Sequence, residues 1–230
     1  MFDIIGDGAT SKVFKGKYQN KDCAIKIVDR NISYDEIDIL KELNHFNIIS
    51  FVAHFKNSHS SYVLTEYFPG LDLYNWKQRN INENVDKIII QLCDVIGYIH
   101  SHNYIHGDLS SRNVLINTNK NVKLIDFGSA KKVGEKKRVS SSLVYLSPEI
   151  LRNNEETTKK SDLWALGILI FIALEGRLPF EGNTEKTVYM RIINTKINYK
   201  KFNIKKRYKK ILKKLLKKKP DKRRIKCSLI

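Results

Sequence analysis

Asp108 stands in the run His106-Gly107-Asp108-Leu109-Ser110-Ser111-Arg112-Asn113, and Asp126-Phe127-Gly128 follows after Asn113. These residue types suit phosphoryl transfer. An aspartate orients a hydroxyl and accepts its proton. An asparagine and a second aspartate hold magnesium through hard oxygen ligands. Near the start, Gly6-Asp7-Gly8-Ala9-Thr10-Ser11-Lys12-Val13 places glycines between two strands. There the backbone N–H groups approach a phosphate with no Cβ in the way. Gly-x-Gly is common in hairpins, so this run gains its weight from Cys23-Ala24-Ile25-Lys26 on the next strand.

The elements that must position these groups divide into two kinds. Residues 2–5, 12–18 and 21–28 read as strands, with turn signals at Gly6-Asp7-Gly8 and Gln19-Asn20. Residues 34–43 read as a short helix, with Ile37, Leu40 and Leu43 at helical spacing. Strand-like runs 48–55 and 62–67 follow, and Pro69-Gly70 marks a hinge. Beyond it the chain is mainly helical. Residues 84–102 carry Ile88, Leu92, Val95, Ile96 and Ile99 on one face, and short strands 114–116 and 122–125 bracket the turn Asn117-Thr118-Asn119. Residues 160–174 are apolar on nearly every side and predict a buried central helix. Tyr208, Ile211, Leu212, Leu215 and Leu216 stripe a last amphipathic helix.

Composition sets the bounds. The 230 residues, 42% of them hydrophobic, suffice for one sizeable core or one domain of two lobes. Cys23, Cys93 and Cys227 show neither metal-ligand nor disulfide spacing and fit a reducing compartment, cytoplasmic or nuclear. Gly6, Asp7 and Gly8 break any N-terminal apolar run, which predicts no signal peptide, and the longest apolar run, 163–174, is too short to span a bilayer. The net charge of +18 is local: residues 200–226 hold 16 Lys and Arg against the single acid Asp221. That segment reads as a solvated helix face, with codon bias as its bland origin, or as a dock for an acidic partner or polyanion.

Taken together, the motifs resemble those of the eukaryotic protein kinases, whose catalytic loop reads H-R-D-L-x-x-x-N and whose metal loop reads D-F-G. Gly6, Gly8 and Ser11 resemble the glycine-rich loop, with Ser11 in place of its third glycine, and Cys23-Ala24-Ile25-Lys26 resembles V-A-I-K. Ser147-Pro148-Glu149 is similar to A-P-E, and the run from Ser161 to Gly167 is similar to the start of the central helix. The resemblance implies an α+β, bilobal fold, with a small β-rich N-lobe with one helix (1–68) and a larger α-helical C-lobe (69–230) that is truncated soon after residue 224. It also implies ATP and Mg2+ as cofactors and a protein as substrate. Asp108 becomes the catalytic base, with Lys26, Asn113 and Arg112 beside it, and Asn113 and Asp126 the metal ligands. Lys26 meets the α- and β-phosphates. Glu66 and Phe68 bind adenine through the main chain behind Thr65, Asp72 meets the ribose, and Val13, Ala24 and Leu115 sandwich the purine. Glu36 is the partner of Lys26, or else closes a capping box with Ser33. Glu149 pairs with Arg223, and Asp162 anchors the backbone around His106.

The chain departs from the family at informative places. Gly107 replaces the arginine that commonly grips an activation-loop phosphate. Ser110 stands where serine/threonine kinases place lysine, and Arg112 matches tyrosine kinases instead. Against that single marker, Ser142-Leu143-Val144-Tyr145-Leu146, Leu166 and Pro179-Phe180 fit the serine/threonine class. The balance favours a serine/threonine kinase that is not arginine-directed. The alternatives are a pseudokinase-like scaffold and a tyrosine or dual-specificity kinase.

Overall fold

The computed structural model of the chain describes residues 3–7, 11–29, 35–137 and 141–225, without the side chains of residues 7, 11 and 29. Five antiparallel strands form the first sheet: β1 (Asp3–Asp7), β2 (Ser11–Tyr18), β3 (Lys21–Asp29), β4 (Phe51–Lys56) and β5 (Ser60–Glu66). Their order is β1-β2-β3-β5-β4. The β2–β3 hairpin turns at Gln19 and Asn20, both at positive φ (48° and 62°). That is the two-residue geometry whose twist suits a hairpin. Helix α1 (Asp35–Glu42) crosses over between β3 and β4 and buries Ile37, Ile39 and Leu40.

The register of this sheet positions part of the site. Lys26 lies opposite Val13 on β2 and Val63 on β5, while Ala24 lies opposite Lys15 and Thr65. Directly opposed residues share a face, and so do residues two apart. Val13, Ala24, Lys26, Val63 and Thr65 therefore converge on one side.

The second lobe contains β6 (Leu71–Asp72), α2 (Leu73–Arg79), α3 (Asp86–Ser101), β7 (Tyr104–Ile105), β8 (Val114–Ile116), β9 (Val122–Leu124) and β10 (Lys131–Lys132). Four helices follow: α4 (Pro148–Asn153), α5 (Lys159–Glu175), α6 (Glu185–Asn194) and α7 (Lys206–Leu215). Every residue of α5 from Ser161 to Ala173 is buried, so this helix is the axis of the core. It starts at a capping box between Thr158 and Ser161 and ends at Gly176, which takes the left-handed φ of 69°. The lobes are stitched by residues 47–49. Leu124 N–H donates to Asn47 O (2.8 Å), Ile49 N–H donates to Leu124 O (3.0 Å), and the Asn47 amide donates to Val122 O (2.8 Å).

Several boundaries differ from the sequence reading. β1 runs on through Gly6 and Asp7 rather than turning there, with a register shift between Ile4 and Gly6. β4 begins at Phe51, because Ile48 leaves the sheet to bridge Leu124. Helix α3 begins at Asp86, where the Asn84 side chain accepts the Asp86 N–H at 2.8 Å. Phe2, Ser33 and Tyr34 lie outside the described residues, so the Ser33 capping box does too.

Candidate active site

A cleft of about 440 Å³ opens between the sheet and the second lobe. Among the predicted residues, Gly6, Val13, Ala24, Lys26, Glu36, Thr65, Glu66, Phe68, Asp72, Arg112, Asn113, Leu115 and Asp126 all line it. Asp108 does not line it. Gly8 lies outside the described residues. Ser11 is fixed only as the β2 residue opposite Val28.

Lys26 joins the two lobes. Its Nζ donates to Glu36 Oε1 (2.9 Å) and Oε2 (3.1 Å) and to Asp126 Oδ1 (2.9 Å). Burial disfavours the ammonium, but the Glu36 and Asp126 carboxylates outweigh it and raise the Lys26 pKa. Burial likewise opposes the charge of Asp126, and Lys26 with the Gly128 N–H overcomes it, so its carboxyl lies below the usual range. Glu36 is therefore seen paired with Lys26, while the Ser33 capping box lies outside the described residues. Asp126 takes a positive φ of 60°, a strained state for a residue with a Cβ. Gly128 makes room for this arrangement, since a Cβ there would lie 3.1 Å from Asp126 Oδ1 and 3.7 Å from Lys26 Nζ.

The loop carrying Asp108 is held from below by α5. Asp162 accepts the His106 N–H (2.9 Å), the Gly107 N–H (3.1 Å) and a bond from His100 Nε2 (2.9 Å). The predicted anchoring role of Asp162 is thus seen directly. Phe127 packs on the His106 ring at 4.9 Å, and both are fully buried. Burial pushes the His106 pKa down, consistent with a neutral ring whose Nδ1 accepts the Asp108 N–H at 3.3 Å. Asn113 donates its amide to Asp108 O (2.8 Å) and Asp108 Oδ2 (3.2 Å), which leaves its side-chain oxygen available. Main-chain bonding of Ile125 N–H to Asn113 O (2.9 Å) ties this loop to the one carrying Asp126.

At the far end of the cleft, Glu66 Oε1 accepts the Ser50 N–H (2.9 Å), the Ser50 hydroxyl (2.8 Å) and Lys123 Nζ (2.6 Å). Asp72 lines the cleft while capping α2, accepting the Asn75 N–H at 3.0 Å and its side-chain amide at 2.5 Å. The sequence reading missed the apolar inner walls Ile5, Leu40, Ile49, Val63, Leu71 and Ile125. Only their core periodicity marks them. The sequence reading named Tyr145 within the run 142–146 but missed its contact with Ser111: the hydroxyl donates to Ser111 Oγ (2.8 Å) and accepts the Ser111 N–H (3.2 Å).

The donor set suits a nucleotide with a divalent cation. The cleft walls are apolar, one cation waits at its inner end, and Asn113 and Asp126 offer hard oxygens. Among the described residues no group of three or more His, Cys, Asp or Glu could hold a metal alone. That matches a cation completed by phosphate oxygens and water.

Gly107 sits where a side chain would be strained. Its φ is +80°, and a Cβ there would meet the Ser129 carbonyl oxygen at 2.6 Å. Restoring the family residue in Gly107→Arg is expected to destabilise the fold by about 1–3 kcal/mol, lowering the Tm by several degrees. A thermal melt indistinguishable from the parent's would contradict this.

A two-lobed fold with a cation clamped between lobes and an Asp–Asn loop beneath it defines a phosphotransferase of the kinase class. The protein kinase domain family matches residues 1–228, and the chain belongs to it. It is similar to the Candida glabrata Aurora kinase, 31% identical over 212 residues that cover 85% of this chain and 59% of that protein. It is 32% identical to the probable serine/threonine-protein kinase PknB of Lactococcus lactis, over 81% of this chain and 33% of that protein. A third relative, the Arabidopsis thaliana serine/threonine-protein kinase TIO, is 29% identical over 86% of this chain and 16% of its own length. The chain is a protein kinase domain, and it spans less than two thirds of each of these relatives.

Proposed function

We propose that this chain, read as one domain over 1–230 with lobes meeting at residues 68 and 69, transfers the γ-phosphoryl group of ATP to serine or threonine hydroxyls of proteins. The observation that carries this is the Lys26 ammonium held between Glu36 and Asp126, beside an Asn113 that orients Asp108. When bound, ATP supplies the phosphoryl group, and Mg2+ neutralises its charge. Lys26 grips the phosphates, and Asn113 and Asp126 hold the metal. Val13, Ala24 and Leu115 enclose the purine, with Gly6, Gly8 and Ser11 over the phosphates. Thr65, the main chains of Glu66 and Phe68, and Asp72 orient the nucleoside. Asp108 accepts the proton of the substrate hydroxyl. Catalysis on this reading is positioning and charge stabilisation.

Arg112 is exposed at the cleft and adds positive charge where an arginine-seeking kinase needs acid. A basic substrate is repelled there and an acidic one favoured. The test is incubation with labelled ATP and a mixed Ser, Thr and Tyr peptide library. Label on Ser or Thr without upstream arginine preference is expected. Mainly phosphotyrosine, or a strong preference for arginine-rich peptides, would overturn the specificity. ATP binding without turnover would mark a pseudokinase-like scaffold.

Activation-loop phosphorylation is not required on this reading. Gly107 has no side chain to grip a phosphate, and the segment is held by its own lysines. Lys131 is buried against Glu156 (3.1 Å), while Lys132 and Lys137 reach the α1 acids Glu42 (3.8 Å) and Asp35 (3.9 Å). Phosphatase treatment, or Ser140→Ala with Ser141→Ala, is expected to leave the rate within about twofold, since exposed pairs of this kind are weak but need no modification. A large loss would refute it. Ser140 lies outside the described residues. Cys23 and Cys93 are both buried, and the cytoplasmic or nuclear setting read from the cysteine spacing is part of the same proposal. Among the described residues no helix is long and apolar enough to cross a membrane. The same reading includes an acidic partner or polyanion at residues 200–226.

A further inference from the structure

Helix α7 turns Tyr208, Ile211, Leu212 and Leu215 into the core. Lys206, Lys210 and Lys213 then fall on the opposite side of the helix, at spacings of four and three residues, Lys217 follows just beyond its end, and all four are exposed. At about 1.5 Å per residue the helical part of the stripe is ~10 Å long. Not every cation of the segment belongs to this face. Arg207 pairs with Asp86, Arg223 is buried against Glu149, and the Lys218 ammonium lies 4.4 Å from the Phe180 ring centre. These partnered cations serve the fold, and among the described residues the four stripe lysines pair with no acid, Lys213 lying 5.8 Å from the Tyr199 ring centre. Lys219, Lys222 and Arg224 add exposed charge at the C-terminal end of the stripe, against the single acid Asp221.

We infer that this face docks the phosphate backbone of duplex nucleic acid without reading its sequence. A duplex carries one charge per about 1.7 Å, so about six phosphates lie along the helical part of the stripe, and neutralising them releases counterions. The alternatives lack what they need. A protein interface has an apolar core with aromatic anchors and is depleted in lysine. Stable membrane attachment adds an apolar insertion to the charge. None of the exposed large hydrophobic residues falls between 200 and 225. Single strands are held by bases stacking on aromatic rings, and Phe202 and Tyr208, the aromatics of this segment, pack into the core. Lysine in place of arginine suits point-charge contact with phosphate rather than bidentate reading of bases.

This inference deepens the polyanion contact proposed above, and its test reads no catalysis, so its failure leaves the kinase reading untouched. The experiment is fluorescence anisotropy of the full chain with a labelled, mixed-sequence DNA duplex at increasing salt. Polyglutamate and phosphatidylserine vesicles serve as separate probes. The expected result is duplex binding at about 50 mM salt that falls on the order of 10³- to 10⁴-fold by about 200 mM. The variant Lys206→Gln, Lys210→Gln, Lys213→Gln, Lys217→Gln should bind at least tenfold more weakly, with a log–log salt slope shallower by about 3–4. Its thermal melt should match the parent's, because these side chains are exposed. Absence of duplex binding at low salt, or a variant with the parent's affinity and slope, would overturn the inference. Polyglutamate or vesicles bound more tightly than the duplex would overturn it too, while leaving a polyanion contact standing.

Discussion

Asp108→Asn is expected to lower the turnover number on the order of 10²-fold or more while ATP affinity stays near the parent value. The substitution keeps the size and planarity of the side chain and removes only its ability to take a proton. The Asn113 amide bonds to Asp108 O and Oδ2 survive, because an Asn oxygen still accepts. The loop beneath also survives, because Asp162 holds it through the main chains of His106 and Gly107. Nucleotide binding is spared because Asp108 does not line the cleft, whereas Lys26 and Asp126 do. Loss of turnover with retained binding therefore isolates proton acceptance from every positioning effect. The measurement is a pair: steady-state transfer to a serine peptide, and nucleotide affinity by calorimetry. Near-normal turnover in the variant would remove Asp108 from its role. A joint loss of binding and turnover would show that the loop had moved.

Much of the architecture was legible in the sequence where one physical signal dominated. The residues of α5 are apolar on all sides, a pattern with no home except the centre of a core, and its observed ends lie one residue from the expected ones. β8, Val114–Ile116, falls on its expected residues. Helices α2 and α6 were not legible. In α2 only Leu73, Trp76 and Lys77 are buried, too few in seven residues to reveal a period. In α6 three buried residues, Val188, Ile192 and Ile193, sit among polar ones. The polar residues that meet at the cleft were legible through motif resemblance, because a lysine, asparagine or aspartate in a fixed motif context is a rare signal. Its apolar walls were not, since Leu40 or Ile49 in a cleft looks like Leu or Ile in a core. Pairings across long sequence distance also escaped local reading. The Tyr145–Ser111 contact spans 34 residues, and only the folded chain brings the two together.

The largest effect on stability is expected from Arg223→Ala. Arg223 is fully buried, and its guanidinium makes a paired contact with Glu149, Nη1 to Oε1 and Nη2 to Oε2, both 2.6 Å. It also donates to Lys217 O (2.7 Å), Lys160 O (3.0 Å) and Lys218 O (3.2 Å). Those five bonds use all five donors of the group. Truncation leaves a carboxylate and three carbonyls without their partner and opens a void beside Trp164, whose ring lies 5.1 Å from the guanidinium carbon. Breaking one side of a buried pair costs about 3–5 kcal/mol, a fall in Tm of roughly 6–20 °C for a domain of this size. Glu149 begins the turn of α4 just beyond Tyr145, so activity should fall together with stability as the substrate-side segment loosens. Arg223→Lys should recover little, because one ammonium cannot replace the planar fork. The decisive comparison is Arg223→Met with Glu149→Met. Replacing both charges removes the stranded carboxylate, so the double variant should melt above Arg223→Ala even though it carries more changes. If Arg223→Ala melts within a degree or two of the parent, the pair is not what holds the activation segment to the core.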